Sequence, residues 1–288
     1  MMLKNLIGRN ITAMVIDENA DYVFAQKEGT TFRIAKSELL KLPKPGAMIS
    51  GFAYENEDHE LQLTKTEPKS GFDRYAWGEV KKVQRGLGVF VDIGLPNKDI
   101  VVSTDTLPEL QNLWPKAGDR LMIALRVDDK GRLWGELATM EMFKAVGDAA
   151  SQKMMNKDVI ATVYRLKMVG SYVITKDYQL GFIHPSERDQ EPRLGQEVKA
   201  RVIGIRPDGT LNLSLRPRAY EAISDDAQML LAALQHNAEG RLPFTDKSDP
   251  AEIKVYFGIS KGQFKRAVGH LMKAGLVVQR DGYLILVK

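Results

Sequence analysis

The chain has 288 residues, 44% of them hydrophobic and 27% charged, an ordinary globular balance with material for two to four domains. It contains no cysteine, which excludes disulfides, thiolate catalysis and cysteine zinc sites. Lys and Arg number 41 against 37 Asp and Glu, an excess that permits a polyanion partner without demanding one.

No apolar run approaches the roughly 18–20 residues of a membrane span. The opening "MMLKNLIGRN" lacks the apolar core and small-residue cleavage site of a secretory signal. The expectation is a cytoplasmic chain with no membrane partner.

Three repeats organise most of the sequence. Proline, a base, any residue and glycine recur as PKPG at 43–46, PKAG at 115–118 and PRLG at 192–195. A strand-like run follows each glycine: AMISGFAY, DRLMIALRV and QEVKARVIGI. A polar turn and a second strand come next, as in the third copy, where Leu211, Leu213 and Leu215 alternate with Thr210, Asn212 and Ser214. Glycine and the first leucine of that strand lie 15, 15 and 16 residues apart in the three copies, which argues against coincidence. Two or three further strands precede each glycine. In the second copy Val89, Val91 and Ile93 alternate with Phe90 and Asp92, so a core on the aliphatic face turns Phe90 outward. Five short strands per repeat predict a small closed antiparallel barrel of the OB type.

The first barrel is expected over 1–66 and the second over 70–138, joined by the linker-like KTEPKSG at 65–71. A connecting helix is expected over 139–156, with Met142, Phe143 and Val146 at helical spacing. The third barrel follows over 157–217. From about Ser224 the period changes to 3.6, with Ala227, Leu230, Leu231 and Leu234 on one stripe. Asp249-Pro250 with Glu252 predicts a helix start, and Ser260 with Gln263 another. Phe264, Ala267, Val268, Leu271 and Met272 form the second helix's buried stripe, which Gly275 ends. A hairpin around Asp281-Gly282 closes the chain. Three helices and a two-stranded hairpin predict an α/β winged helix over 222–288. The fold class is therefore mainly β: three tandem five-stranded barrels, then a winged-helix domain.

The third copy resembles the RNA-binding repeat named after ribosomal protein S-one. The family's elements fall on Gly170, Tyr172, Gly181, His184, Ser186, Glu187, Gly195, Val198 and Leu213-Ser214. The second copy carries the Asp-x-x-Gly-Arg turn at Asp128, Gly131 and Arg132, with Val102 where His184 stands in the third. The first is the most diverged, with Tyr22, Phe24 and Phe52 as its aromatics. Three such repeats before a winged helix resemble the bacterial conserved virulence factor B family. That resemblance implies an RNA-binding regulatory protein, with single-stranded RNA as the partner and no cofactor.

On such barrels outward aromatics stack bases and nearby cations hold phosphates. The candidate nucleic-acid residues are Phe90, Asp128 and Arg132 in the second barrel and Tyr172, His184, Lys199, Arg201 and Arg206 in the third. A second fate is open for each: Phe90 packing on a neighbouring barrel, His184 as a turn residue, Lys199 and Arg201 as solvated charge. Val169 replaces an aromatic common in the family, thinning the stacking platform. Lys265 and Arg266 lie on the helix that would read DNA or RNA. The stretch 224–288 holds nine Lys and Arg against seven Asp and Glu, so contact with nucleic acid and with protein both stay open there. No Gly-Lys-Ser/Thr phosphate loop and no His-Glu-x-x-His spacing occurs. The expectation is a non-enzymatic monomer. The alternatives are a scaffold on a ribosome, nuclease or polymerase, and a DNA-binding factor acting through the winged helix.

Overall fold

Strand alternation and glycine turns fold the first repeat, after the short helix α1 (Leu3–Leu6), into β1 (Asn10–Glu18), β2 (Tyr22–Lys27), β3 (Thr30–Ala35), β4 (Met48–Glu55) and β5 (Leu61–Thr64). They close as a barrel in the order β1-β2-β3-β5-β4. This is a computed structural model that describes residues 3–216 and 225–287. The expected start of the helical domain at Ser224 lies outside the described residues.

The second barrel is built from β6 (Ala76–Gln84), β7 (Gly88–Asp92), β8 (Ile100–Ser103), β9 (Arg120–Val127) and β10 (Leu133–Leu137). The third uses β11 (Asp158–Lys167), β12 (Gly170–Thr175), β13 (Leu180–Ile183), β14 (Glu197–Ile205) and β15 (Leu211–Ser214). In each, the third strand pairs in parallel with the fifth, which closes the sheet and removes its edges.

The repeated glycine has one job in all three barrels. Gly46, Gly118 and Gly195 adopt φ of 86°, 87° and 79°, a left-handed conformation that favours glycine. Their N–H groups donate to the carbonyls of Val15, Val80 and Val163. At those valines the first strand shifts register. The bulge bends that strand so that it can pair on both sides of the barrel.

The first two barrels share one apolar core, which includes Ile7, Ile34, Leu63, Ile93, Ile100 and Leu125. The third has its own, built on Val163, Val173, Ile183, Val202 and Leu213. A smaller cluster of Met122, Ala138, Phe143 and Ile174 joins the second barrel to the third. Arg193, the base of the third PRLG motif, spans the same junction. Its Nε and Nη2 donate to Asp119 at 3.1 and 3.0 Å.

Two connections differ from expectation. Residues 65–71 do not hang free: Pro68 and Ser70 are buried, and Lys69 N–H donates to the Ile93 carbonyl. The connecting helix α2 spans only Met140–Val146, not 139–156. It stops at Gly147, whose extended backbone passes so close to Leu180 that a β-carbon would stand 2.8 Å from its Cγ. Only Phe143 of the expected stripe is buried; Met142 and Val146 are exposed.

The described chain divides into two compact units after Leu215. The second unit holds α3 (Asp225–His236), β16 (Arg241–Leu242), α4 (Pro250–Phe257), α5 (Lys261–Lys273), β17 (Val277–Arg280) and β18 (Tyr283–Leu286). Asp249 caps α4, and the Ser260–Gln263 capping box starts α5. The sheet has three strands, ordered β16-β18-β17, so the expected two-stranded hairpin gains an edge from Arg241–Leu242. Phe264, Ala267, Val268 and Leu271 are buried as the periodicity requires. Met272 is not: it sits at the helix rim, where its Sδ accepts from Gln279 Nε2 at 3.4 Å. Among the described residues no helix is long and apolar enough to cross a membrane.

Candidate nucleic-acid interface

Pairing register places one outward row across each of the second and third barrels. In the second, Lys82 faces Phe90, Phe90 faces Val101, Val101 faces Trp134, and Trp134 faces Arg126. In the third, the row is Arg165, Tyr172, Phe182, Asn212 and Gly204. The two rows are equivalent: Phe90 corresponds to Tyr172, Val101 to Phe182 and Trp134 to Asn212.

Phe90 is half-buried and turned outward, with Lys82 Nζ 4.4 Å from its ring centroid. Arg132 bonds Asp128 through Nε and Nη2, each at 2.7 Å, and its guanidinium lies 5.4 Å from the Trp134 ring. Trp134 Nε1 donates to the same carboxylate at 3.1 Å. Partial burial raises the Asp128 pKa, but the surrounding donors outweigh it. They are the backbone N–H and guanidinium of Arg132, the Trp134 indole and the Lys130 N–H, and together they hold the carboxyl at about 2. Asp128 is thus an anchor for the Arg132 guanidinium and the Trp134 ring, not a group that itself faces phosphate.

In the third barrel rings follow one another along the surface. Tyr172 and Phe182 meet edge-on at 5.2 Å, and Phe182 and His184 follow at 6.5 Å. Phe182 therefore stands between the two candidate rings, Tyr172 and His184. Arg206 lies 4.7 Å from the Phe182 ring and donates to Asn212 Oδ1 at 2.9 Å. Lys167 lies 5.7 Å from Tyr172. The series continues inward through Tyr164, which stacks on Phe143 at 4.0 Å, and Phe143 in turn meets Trp77 of the second barrel at 5.9 Å. Burial, with Tyr172 nearby, pushes the Tyr164 hydroxyl up to about 12.

His184 caps the 3-10 turn Pro185–Glu187, its Nδ1 accepting from the Ser186 N–H at 3.2 Å. The proton of the neutral ring is then on Nε2, so the exposed edge is a donor. Its counterpart in the second barrel is Ser103, not Val102. Gly88 pairs with Ser103, while Tyr172–Phe182 pairing sets Gly170 opposite His184. One extra residue between the paired strands defeats counting from the glycine. Ser103 caps its own 3-10 turn in the same way.

Arg201 pairs with Ser214, one outward step beyond Asn212. It thus borders the ring series on the His184 side. Lys199 faces Ile160, further off, and lies 4.0 Å from Asp158. Phe182, Trp134 and Tyr164 were missed by sequence reasoning. Period-two alternation offers a signal for the first two: Ile183 and Leu133 go to the core, so their neighbours go out. In the second unit Lys265 and Arg266 are exposed on α5, opposite its buried stripe. Among the described residues no cluster of three or more His, Asp or Glu gathers to hold a metal.

The first barrel keeps only part of this face: Phe24, paired with Arg33, is half-buried at the position of Phe90 and Tyr172. Its Tyr54 is fully buried, with its hydroxyl donating to the Pro96 carbonyl at 2.8 Å. Gln62 is buried, and Arg33, paired with Glu60, packs over Tyr22 at 4.3 Å.

Known families match four successive parts of the chain. An S1 domain matches residues 7–66, the first S1-like domain of CvfB matches 75–136, and the second domain of virulence regulatory factor CvfB matches 143–217. A CvfB-like winged helix domain matches 228–286. Conserved virulence factor B of Staphylococcus epidermidis is 40% identical over 84% of this chain and 81% of its own. The chain belongs to the conserved virulence factor B family. The Staphylococcus aureus member is 35% identical over 94% of this chain and 90% of its own. A crystal structure from Streptococcus pneumoniae, a multidomain protein with nucleic acid binding domains, is 48% identical, with TM-score 0.71. It covers 98% of this chain and 99% of that one. S1-like domains and the family's name together mark the class as that of a nucleic-acid-binding regulator.

Proposed function

We propose that the chain is a non-catalytic regulator of gene expression, virulence genes included, that holds single-stranded RNA on the outward rows of its second and third barrels. The observation that carries this reading is the third-barrel series of Tyr172, Phe182 and His184, flanked by Lys167 and Arg206. Flat rings offer a stacking surface to any base, and the cations offer phosphate contacts. Phe90, Trp134 and Arg132 supply a smaller copy in the second barrel. Lys265 and Arg266 add a contact from the winged helix, to RNA or to duplex DNA. Single-stranded, pyrimidine-rich RNA binds at micromolar concentration or better in an anisotropy titration, and the affinity falls steeply with salt. A titration with no salt-dependent affinity sinks the proposal. Competition by duplex DNA separates a DNA reader from an RNA holder.

A protein partner is favoured by one surface. Met14 and Met48 face each other across β1 and β4, both exposed, with Ile16, Leu40 and Leu42 also exposed on the first barrel. Flexible methionines on an exposed apolar surface suit contact with protein. In that reading the first barrel docks on a ribosome, nuclease or polymerase. Combined Phe90→Ala, Arg132→Ala and His184→Ala then leaves RNA binding unchanged. On the RNA reading the same variant loses it.

A further inference from the structure

The outward row of the second barrel does not stay open along its length. Phe90 is half-buried at the open end of the row, but Val101 and Trp134 also line a small cleft of about 240 Å³ roofed by the first barrel, just under the ~300–1,000 Å³ usual for ligand pockets. Ile7, Leu87 and Leu133 add to its apolar wall, and Glu55, His59, Lys98 and Arg132 supply its polar groups.

Both flanks of the roof are pinned. On one side Tyr54 bonds Pro96, the Glu57 N–H bonds the Asn97 carbonyl, and Asn97 Nδ2 bonds Asp58 Oδ2. On the other side Lys4 pairs with Asp129 at 2.7 Å. A strand laid along the row from Phe90 therefore meets the first barrel at Trp134.

The polar groups are unevenly committed. Arg132 is held by Asp128, and His59 Nδ1 by Glu55 at 2.6 Å. Lys98 is half-buried, with Glu55 and Glu57 nearby but no ion pair within bonding distance to a described residue. Burial lowers its pKa, against the pull of those two carboxylates. A cation kept partly out of water without a bonded anion is poised to take one.

We infer that this cleft takes the terminal nucleotide of the bound RNA, its base against Trp134 and the apolar wall and its phosphate on Lys98, with His59 alongside. The inference rests on the RNA reading above. It adds that the first barrel, where it roofs the second, works as a stop that recognises a strand end.

The experiment compares a linear pyrimidine-rich RNA with the same sequence closed into a circle, by anisotropy competition on the full chain. Linear RNA binds at least tenfold more tightly. Lys98→Met and His59→Asn each remove that preference and leave the circle's affinity unchanged. Met keeps the apolar stem of Lys98, and Asn tolerates the positive φ of 61° at His59, so thermal unfolding stays near that of the unsubstituted protein. Equal affinity for line and circle overturns the inference while the RNA reading stands. Absence of binding to both sinks the RNA reading itself. A third arm uses uridine monophosphate alone: Lys98-dependent binding of it, together with equal line and circle affinity, makes the ligand a free nucleotide and overturns the strand-end assignment.

Discussion

Phe182 and Tyr164 are both aromatic, both in the third barrel, and part of one series of rings, yet they do different work. Phe182 is only 9% exposed, set among Tyr172, His184, the Arg206 guanidinium and the Gly170 backbone. Tyr164 stacks on Phe143 inside the junction with the second barrel. Phe182→Ala therefore costs RNA affinity about 1–3 kcal/mol, the usual worth of one stacked base, and also lowers the melting temperature, because the ring it removes is buried. Tyr164→Ala lowers the melting temperature and leaves RNA affinity near that of the parent in the same two measurements. Asp128 makes a sharper test. Its folded pKa of about 2 lies below the ordinary aspartate value of 3.8. A carboxylate with a depressed pKa stabilises the fold above its unfolded value, and that contribution disappears as pH falls through the folded one. Asp128→Asn is thus less stable than the parent at pH 7. The gap closes between pH 4 and 2, which urea midpoints at stepped pH will show. Arg132 and Trp134 also lose their shared anchor in that variant, so RNA binding weakens with it.

Among the elements, the third proline–base–glycine motif has an added role. Its glycine closes its own barrel, as in the other two copies, while Arg193 reaches the second barrel and bonds Asp119 bidentately. Asp119 is almost wholly buried there. Asp119→Ala strands a guanidinium against apolar neighbours and destabilises the chain by about 3 kcal/mol, the low end for breaking a buried pair. Guanidinium chloride unfolding then shows the third barrel melting ahead of the second. The helix α2 teaches a related lesson. Its apolar spacing reads as a helix continuing through 156, but α2 ends where the chain must pass Leu180 and where Asp148 bridges to Gln179. Propensity is a weak prior, and tertiary contact overrode it. The helix caps at Asp249 and Ser260 were legible because their partners lie within four residues. The strand β16 was not, since two residues form a strand only when β18 is alongside.

For the whole chain, cations on the two rows set the salt response. Lys82, Arg126, Arg132, Arg165, Lys167, Arg201 and Arg206 all border the rings or stand in the rows. Each neutralised phosphate of a single strand contributes about −0.7 to the slope of log affinity against log salt. A slope of about −3 to −5 is expected, and Lys82→Gln with Arg206→Gln flattens it by about 1.4. An unchanged slope in that double variant moves the strand off these rows. Much of this architecture was written in the chain. Repeat spacing, strand alternation and the glycine motif specify three barrels, because each depends on residues close in sequence and on a two-residue period. The change to a 3.6 period specifies the helical unit for the same reason. What the sequence could not decide is which aromatics share a face. Phe182 reaches Tyr172, and Trp134 reaches Val101, only through pairing between separate strands, and one inserted residue moved the His184 counterpart to Ser103. Nor could it show that the first barrel roofs part of the second. That depends on contacts between residues some forty to over one hundred positions apart, such as the partly buried bond of Tyr54 to Pro96 and the surface pair of Lys4 with Asp129, and such pairs leave no periodic trace.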